Sequence, residues 1–254
     1  MSIEVTARAT EGTRSRLVRA GILGLVAGFL SGLFGVGGGI LIVPALVLAM
    51  RMDQRLAHGT SLAAVLPIAL SSTLGYGLED KIDWPVAVLL AAGAVVGAVV
   101  GTHVLHVLPK RALAICFGVL LVATAIRLLV DHADAGGRGE LDVGTIVGLL
   151  VLGVTSGALA GLLGVGGGIF MVPAMVVLFR VPPAVARGTS LAVIVPTSIM
   201  GTWRNRRNGN ADLRIAGVVG LAGVVSAFVA SQISVGMSET ASNVLFALLL
   251  LVVA

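Results

Sequence analysis

The sequence predicts an all-α integral membrane protein: about ten transmembrane segments in two inverted five-segment repeats, each with a short or broken second helix. Three observations predict it, namely the composition, a duplication at a fixed offset, and a one-sided distribution of basic residues. Of the 254 residues, 57% are hydrophobic and 11% are charged, with a mean hydropathy of +1.07. A soluble domain carries about 25% charged residues, so this chain cannot cover a water-facing surface. Apolar runs lie at about 17–34, 62–78, 86–108, 112–130, 143–163, 185–203, 213–233 and 241–254. Each approaches the ~20 residues needed to cross the hydrocarbon layer. The net charge of +5 does not point to nucleic acid, because the arginines cluster beside apolar runs, where topology determinants sit.

The duplication appears when the chain is slid along itself by 129 positions. Between 32–67 and 161–196, 20 of 36 aligned residues are identical and no gap is needed. An internal repeat at fixed offset is a fold-level signal. The polar, Gly-rich stretch 131–141 reads as the linker, giving a tail at 1–16, a first repeat at 17–130 and a second at 142–254. Residues 1–15 are expected to be disordered or surface-lying. The apolar run that follows has no small-residue cleavage site, so it reads as an uncleaved first span.

Within the first repeat the segments fall at about 17–34, 40–50, 56–78, 85–108 and 111–130. Within the second they fall at about 142–163, 169–179, 185–204, 212–233 and 239–254. The second segment of each set would rise only about 16 Å as a helix. If all five cross from a cytoplasmic N-terminus, 12 of the 17 Lys and Arg residues face the cytoplasm and 5 face outward. That bias obeys the positive-inside rule and puts both termini inside the cytoplasmic membrane. Five is odd, so similar halves must lie upside down relative to each other. This is an architecture of secondary transporters, with substrate handled near the midplane.

The second segments are preceded by GVGGG, once at 35–39 and again at 164–168, each followed by a proline, Pro44 or Pro173. Gly35, Gly37, Gly38 and Gly39, with Gly164, Gly166, Gly167 and Gly168, are the candidate substrate-binding backbone. Glycine permits positive φ and close approach of a ligand to N–H groups. The first N–H groups of a helix are unpaired and carry the positive end of its dipole. Two such N-termini converging inside the membrane suit an anion. The prolines remove a donor and favour a kink. Gly93, Gly97 and Gly101, spaced by four, read instead as a helix-packing face.

The triplets 59–61 and 188–190, both GTS, open the third segments. The hydroxyls of Thr60, Ser61, Thr189 and Ser190 can cap that helix or donate to an anion. His58 and Arg187 occupy matching positions just before them, either to attract an anion at a pore mouth or to mark the membrane boundary.

GxGGGxxxxPxL, present as GVGGGILIVPAL and again as GVGGGIFMVPAM, resembles the signature of the sulfite exporter TauE/SafE family. The duplicated GTS triplets fit the same family, and the resemblance covers about residues 17–254. The one departure is Met175, where the pattern has Leu. The resemblance implies an inner-membrane transporter moving sulfite, sulfonates or related sulfur-containing anions, usually outward.

All 12 acidic residues lie in loops or at segment ends, so the usual intramembrane carboxylates of proton or cation coupling are not seen. His103 and His106 read as interfacial, and Cys116 as a small core residue. A cytosol-negative potential drives an anion outward by about 2.3 kcal/mol per charge per 100 mV, so export needs no coupling ion. The alternatives are a transition-metal importer, which lacks a ligand cluster, and a non-transport membrane assembly subunit. An intramembrane hydrolase at Ser31 or Ser156 lacks a base. Arg204, Arg206 and Arg207 read as a cytoplasmic anchor or as a device that concentrates anions at the inner mouth. No enzyme activity, metal or cofactor is expected. The expected partners are a small anionic substrate and the lipid bilayer; a homodimer suits a transporter this small, though no residue pattern demands one.

Overall fold

The computed structural model describes residues 2–104, 121–122, 125–126, 141–163 and 166–253. Among these there are nine α-helices and no strand. In chain order they are α1 (Ser2–Phe34), α2 (Gly39–Met50), α3 (Gln54–Gly77), α4 (Trp84–Val104), α5 (Val143–Leu163), α6 (Gly168–Leu178), α7 (Pro183–Arg207), α8 (Leu213–Gly236) and α9 (Glu239–Val253). Five stretches are long and apolar enough to cross a membrane: 15–34 of α1, α3, 143–161 of α5, α7 and α8. The expected fifth segment of the first repeat, with Cys116, lies almost wholly outside the described residues, as do His106 and the linker apart from Leu141. Residues 2–15, expected to be disordered or surface-lying, run as helix continuous with the first span.

The two short second helices form as the glycine spacing predicts. Gly38 and Gly167 are their N-caps, both in the left-handed region, with φ of +68° and +77°. The chain leaves each helix alike: Arg51 and Arg180 both take φ +54°. The N–H groups of Met52 and Val181 then return to Leu46 O and Met175 O, each at 3.1 Å. Every partner in that pair is related by the 129-residue offset, so the duplication persists down to single backbone bonds.

Close glycine contacts give the helix directions. A methyl group at Gly24, Gly28 or Gly32 would lie 2.2, 2.3 or 2.1 Å from the carbonyl oxygen of Val219, Gly223 or Ala227, so α1 and α8 run in the same direction. On the far side, methyls at Gly93 and Gly97 would meet Leu150 O at 2.4 Å and Val154 O at 2.0 Å, so α4 and α5 also run together. The packing face expected at Gly93 and Gly97 is therefore present, and it seats α5. Small residues let two helix backbones approach this closely in a bilayer. Ser71 Oγ donates to Val224 O at 2.7 Å and Gln232 Nε2 to Gly75 O at 3.0 Å, aligning α3 with α8. Leu62 touches Gly201 while Tyr76 and Lys81 touch Gly188, so α3 and α7 run in opposite directions. Asp83 bonds to Thr189 and Ala98 to Arg204, which aligns α4 with α7. Thus α1 and α3 run one way and α4 the other, whereas α5 and α7 oppose α1 and α3, and α8 opposes α4.

The core falls into two apolar clusters that exchange helices between the repeats. One joins α1, α2 and α3 to α8 through Ala27, Ile42, Leu46, Val65, Ile68 and Val219. The other joins α5, α6 and α7 to α4 and α9 through Leu90, Leu149, Met171, Met175, Val193 and Phe246. Each repeat therefore lends its fourth helix to the other. The outer surface is apolar as well: Leu74, Val88, Leu221 and Val225 are 65–71% exposed. Such a face fits hydrocarbon and not water.

Candidate functional site

The two glycine elbows meet inside the bundle. Gly35, Gly37 and Gly38 have φ of +71°, +83° and +68°, and Gly166 and Gly167 have +81° and +77°. Gly164 lies outside the described residues. A methyl at Gly168 would sit 2.7 Å from Gly35 O and 3.1 Å from the Val36 carbonyl carbon, so the first residue of α6 rests on the other repeat's elbow. Ile194, on α7, lies against both: a methyl at Gly37 would be 2.9 Å from its Cδ1, and one at Gly166 would be 3.3 Å from its Cγ2.

The short helices leave this meeting point in opposite directions. Gly38 lies beside Ala27 of α1, and at the other end of α2 the Met50 carbonyl accepts Arg16 Nη2 at 3.2 Å. Hence α2 turns back along α1. Gly167 lies beside Ser156 of α5, and Phe179, at the other end of α6, lies beside Gly148. Hence α6 turns back along α5. Since α1 and α5 are opposed, α2 and α6 stand head to head with their N-termini at the elbows. The elbows are also recessed: α1 is level with Ala227 at Gly32, and α8 runs about nine residues further, roughly 13 Å. The first N–H groups of both helices thus lie at depth, where unpaired donors favour negative charge. Pro44 and Pro173 sit within α2 and α6 and leave a carbonyl one turn earlier without its helical donor.

The GTS triplets do not open their helices. Asp53 is the N-cap of α3 and Pro182 that of α7, so the triplets lie over a turn further in. Nor do the threonines cap their own helices. Thr60 Oγ1 accepts the N–H of Asp212, and Thr189 Oγ1 accepts the N–H of Asp83, each at 2.9 Å. Asp212 and Asp83 are the residues that start α8 and α4: their carboxylates accept from Ile215 N at 3.1 Å and from Val86 N at 3.2 Å. Gly59 and Gly188 make room for this, because a methyl there would lie 1.9 Å from Asn210 O and 2.1 Å from Lys81 O. Ser190 Oγ donates to Gly35 O, tying the triplet of one repeat to the elbow of the other. Ser61 is buried. The triplets therefore dock the exchanged fourth helices.

A cavity of about 370 Å³ opens at the α7–α8 end, lined by Arg55, Thr197, Arg204, Asn205, Asn208 and Asn210 among others. Its floor at Thr197 is one turn beyond Ile194, the residue packed on the elbows. Arg204 belongs to this lining, and its Nη1 donates to Ala98 O at 3.1 Å. Arg207 instead stacks on Trp203, 4.1 Å from the ring centroid, as an interfacial anchor does. Sequence reasoning missed Arg55 and the three asparagines, since nothing in their spacing joins the first turn of α3 to the last turn of α7 and the loop after it.

At the opposite, α3–α4 end a smaller cavity of about 130 Å³ lies among Val86, Thr145, Leu149 and Phe179, and neither the elbow glycines nor Arg187 line it. Arg187, expected at a pore mouth or the membrane boundary, is 1% exposed and lies within the bundle. Its counterpart His58 is half-buried near the cavity end. Tyr76 Oη donates to Gly32 O at 3.0 Å and lies 2.9 Å from Ser234 Oγ, bracing the same region.

A family model described as sulfite exporter TauE/SafE matches residues 3–128 and 149–254. The probable membrane transporter protein YunE of Bacillus subtilis is 31% identical over 215 residues, covering 75% of this chain and 78% of its own length. A probable membrane transporter protein of Xylella fastidiosa is 29% identical over 206 residues, covering 80% of this chain and 78% of its own. A third, MJ0441 of Methanocaldococcus jannaschii, is 30% identical over 186 residues, covering 71% and 68%. No solved structure matches the chain.

Proposed function

Because the chain belongs to the sulfite exporter TauE/SafE family, a family of multi-pass membrane transporters, we propose that it exports a small sulfur-containing anion, sulfite or an organosulfonate, across the cytoplasmic membrane. The observation that carries this reading is the head-to-head arrangement of α2 and α6. Two helix N-termini and two positive-φ elbows meet where the halves of the duplication touch, which is where inverted-repeat transporters bind substrate. The elbow glycines, Pro44, Pro173 and the neighbouring triplets form the anion site in this reading. It is an amide-lined site that reads charge and size.

The opposed helix directions of the two copies support a ten-segment inverted repeat, and the one-sided distribution of Lys and Arg supports both termini being cytoplasmic. In that frame the Arg55/Arg204 cavity faces the cytoplasm and collects anions, and Ile194 closes it from the elbows. Rocking of the two helix-exchanged clusters about the α3–α7 contact then alternates access. The membrane potential drives the anion outward at about 2.3 kcal/mol per charge per 100 mV.

Purified protein in proteoliposomes, assayed for sulfite efflux at clamped potentials, tests the proposal. Efflux should rise steeply as the compartment standing for the cytosol is made negative. Flux that ignores the potential and follows an imposed proton gradient overturns the mechanism. The absence of flux for sulfite, thiosulfate and sulfoacetate alike overturns the substrate class.

A further inference from the structure

Arg187 is the largest fully buried side chain among the described residues. Its Nη1 donates to Ser234 Oγ at 3.3 Å and to Ser242 Oγ; its Nη2 donates to Ser242 O at 3.3 Å and reaches Asn243 Oδ1 at 3.5 Å. Nε has no hydrogen-bond partner. The guanidinium carbon stands 5.0 Å from the centroid of the Phe246 ring. All of these partners are neutral, and among the described side chains no carboxylate lies within ion-pairing distance. A buried cation inside a membrane is costly, and where one persists it marks a substrate or ion path.

Position links this charge to the elbows. The Arg187 Cα is 2.6 Å from where a methyl on Gly35 would sit, and Ser190, one turn on, donates to the Gly35 carbonyl. Tyr76 and Arg187 share Ser234 as a partner. The cluster therefore lies directly on the elbow on its α3–α4 side, across from the Arg55/Arg204 cavity. The duplication puts a histidine, His58, at the equivalent place near the Arg55/Arg204 cavity, so the arginine of the pair is on the α3–α4 side.

The guanidinium is also incompletely used. Its Nε and Nη2 edge is the one that grips two oxygens of an oxyanion in parallel. Here Nε is unpartnered and Nη2 has two contacts of 3.3 Å or more. Neutral hydroxyl and carbonyl acceptors can be exchanged for an anion, whereas a resident carboxylate would compete with it. We propose that Arg187 binds the transported oxyanion on the exit side of the elbows, through its Nε and Nη2 edge, when the α3–α4 end opens and Ser242 and Asn243 withdraw. The step rests on the transport reading above and adds to it a specific cation, its face and its order of engagement.

The test uses the full-length protein in proteoliposomes with sulfite as probe, comparing wild type, R187K, R187Q and E239Q. Glu239 belongs to α9, one turn before Ser242, so E239Q checks for a structural counter-charge. Sulfite-dependent shifts in unfolding temperature in detergent are measured alongside. R187K keeps the charge but loses the fork, and its half-saturating sulfite concentration should rise at least about fivefold. R187Q should lose efflux by about tenfold or more, together with the sulfite-dependent shift, while its unfolding temperature without sulfite stays level or rises. E239Q should stay within about twofold of wild type. An R187K protein with unchanged half-saturation overturns the proposal, and so does an E239Q protein that reproduces the R187K defect. Wild-type flux that R187K leaves intact removes only Arg187, whereas a wild type that moves no sulfur oxyanion removes the transport reading. Should R187Q fail to fold, R187K alone decides.

Discussion

Thr189 Oγ1 accepts the backbone N–H of Asp83 at 2.9 Å, and 106 residues of chain separate the two. The same bond, at the same length, joins Thr60 to Asp212 at the other end of the bundle. A residue in the third helix of each repeat thus holds the first turn of the other repeat's fourth helix, and the exchange of helices is locked at both ends. Replacing either threonine by valine keeps the shape and removes the acceptor, leaving a half-buried N–H without its partner. Each of T60V and T189V should lower stability by about 1 kcal/mol, and the double variant by the sum, because the sites are far apart. Chemical or thermal unfolding in detergent reads this out, and strong non-additivity would contradict two independent latches.

Gly59 and Gly188 should tolerate no side chain. Alanine would press its methyl to within 1.9 Å of Asn210 O or 2.1 Å of Lys81 O, and a backbone carbonyl cannot step aside. Overpacking of this kind costs about 1–3 kcal/mol. G59A and G188A should each lower the unfolding temperature more than an alanine at Gly217, where a methyl meets nothing.

The elbow glycines separate backbone strain from steric conflict. At φ near +80°, G37A and G166A each incur about 1–2 kcal/mol of strain. G37A additionally meets Ile194 Cδ1 at 2.9 Å, while G166A meets its Cγ2 at 3.3 Å. Adding I194A should recover more of the loss for G37A than for G166A, and a double-mutant cycle measures the difference. Equal recovery for both would mean that Ile194 does not wedge the elbows as described.

Charge at the cavity should act on rate. R55Q should slow sulfite efflux several-fold at low ionic strength and much less at high salt, since steering by exposed charge is screened over about 10 Å at 0.1 M. R206Q, outside the cavity lining, is the control. A slope against salt that is unchanged in R55Q would remove the cavity as the entrance.

The orientation is testable without transport. In a C116S background, a cysteine replacing Asn208 should react with impermeant maleimide only from the cytoplasmic side. Cysteines replacing Glu79 or Ser238 should react only from outside. All three positions are exposed and lie in connections between helices. Labelling of Glu79→Cys and Asn208→Cys from one side would contradict an inverted repeat.

Local information, read along the chain, was enough for the two short second helices. The segment expected at 40–50 is α2 at Gly39–Met50, and that expected at 169–179 is α6 at Gly168–Leu178, because glycine clusters and apolar runs act on their own neighbours. The duplication likewise announced that whatever one half does the other repeats. It could not say that the halves trade their fourth helices, since self-similarity is satisfied equally by two separate bundles. Thr60 looked like a cap for its own helix or a donor to an anion because its backbone partner, Asp212, is 152 residues away. Arg187 looked like a pore-mouth charge or a boundary marker because hydropathy averages over a segment, while burial depends on which side chains arrive from α8 and α9. Those arrivals are long-range packing events, and only the folded chain brings them to one place.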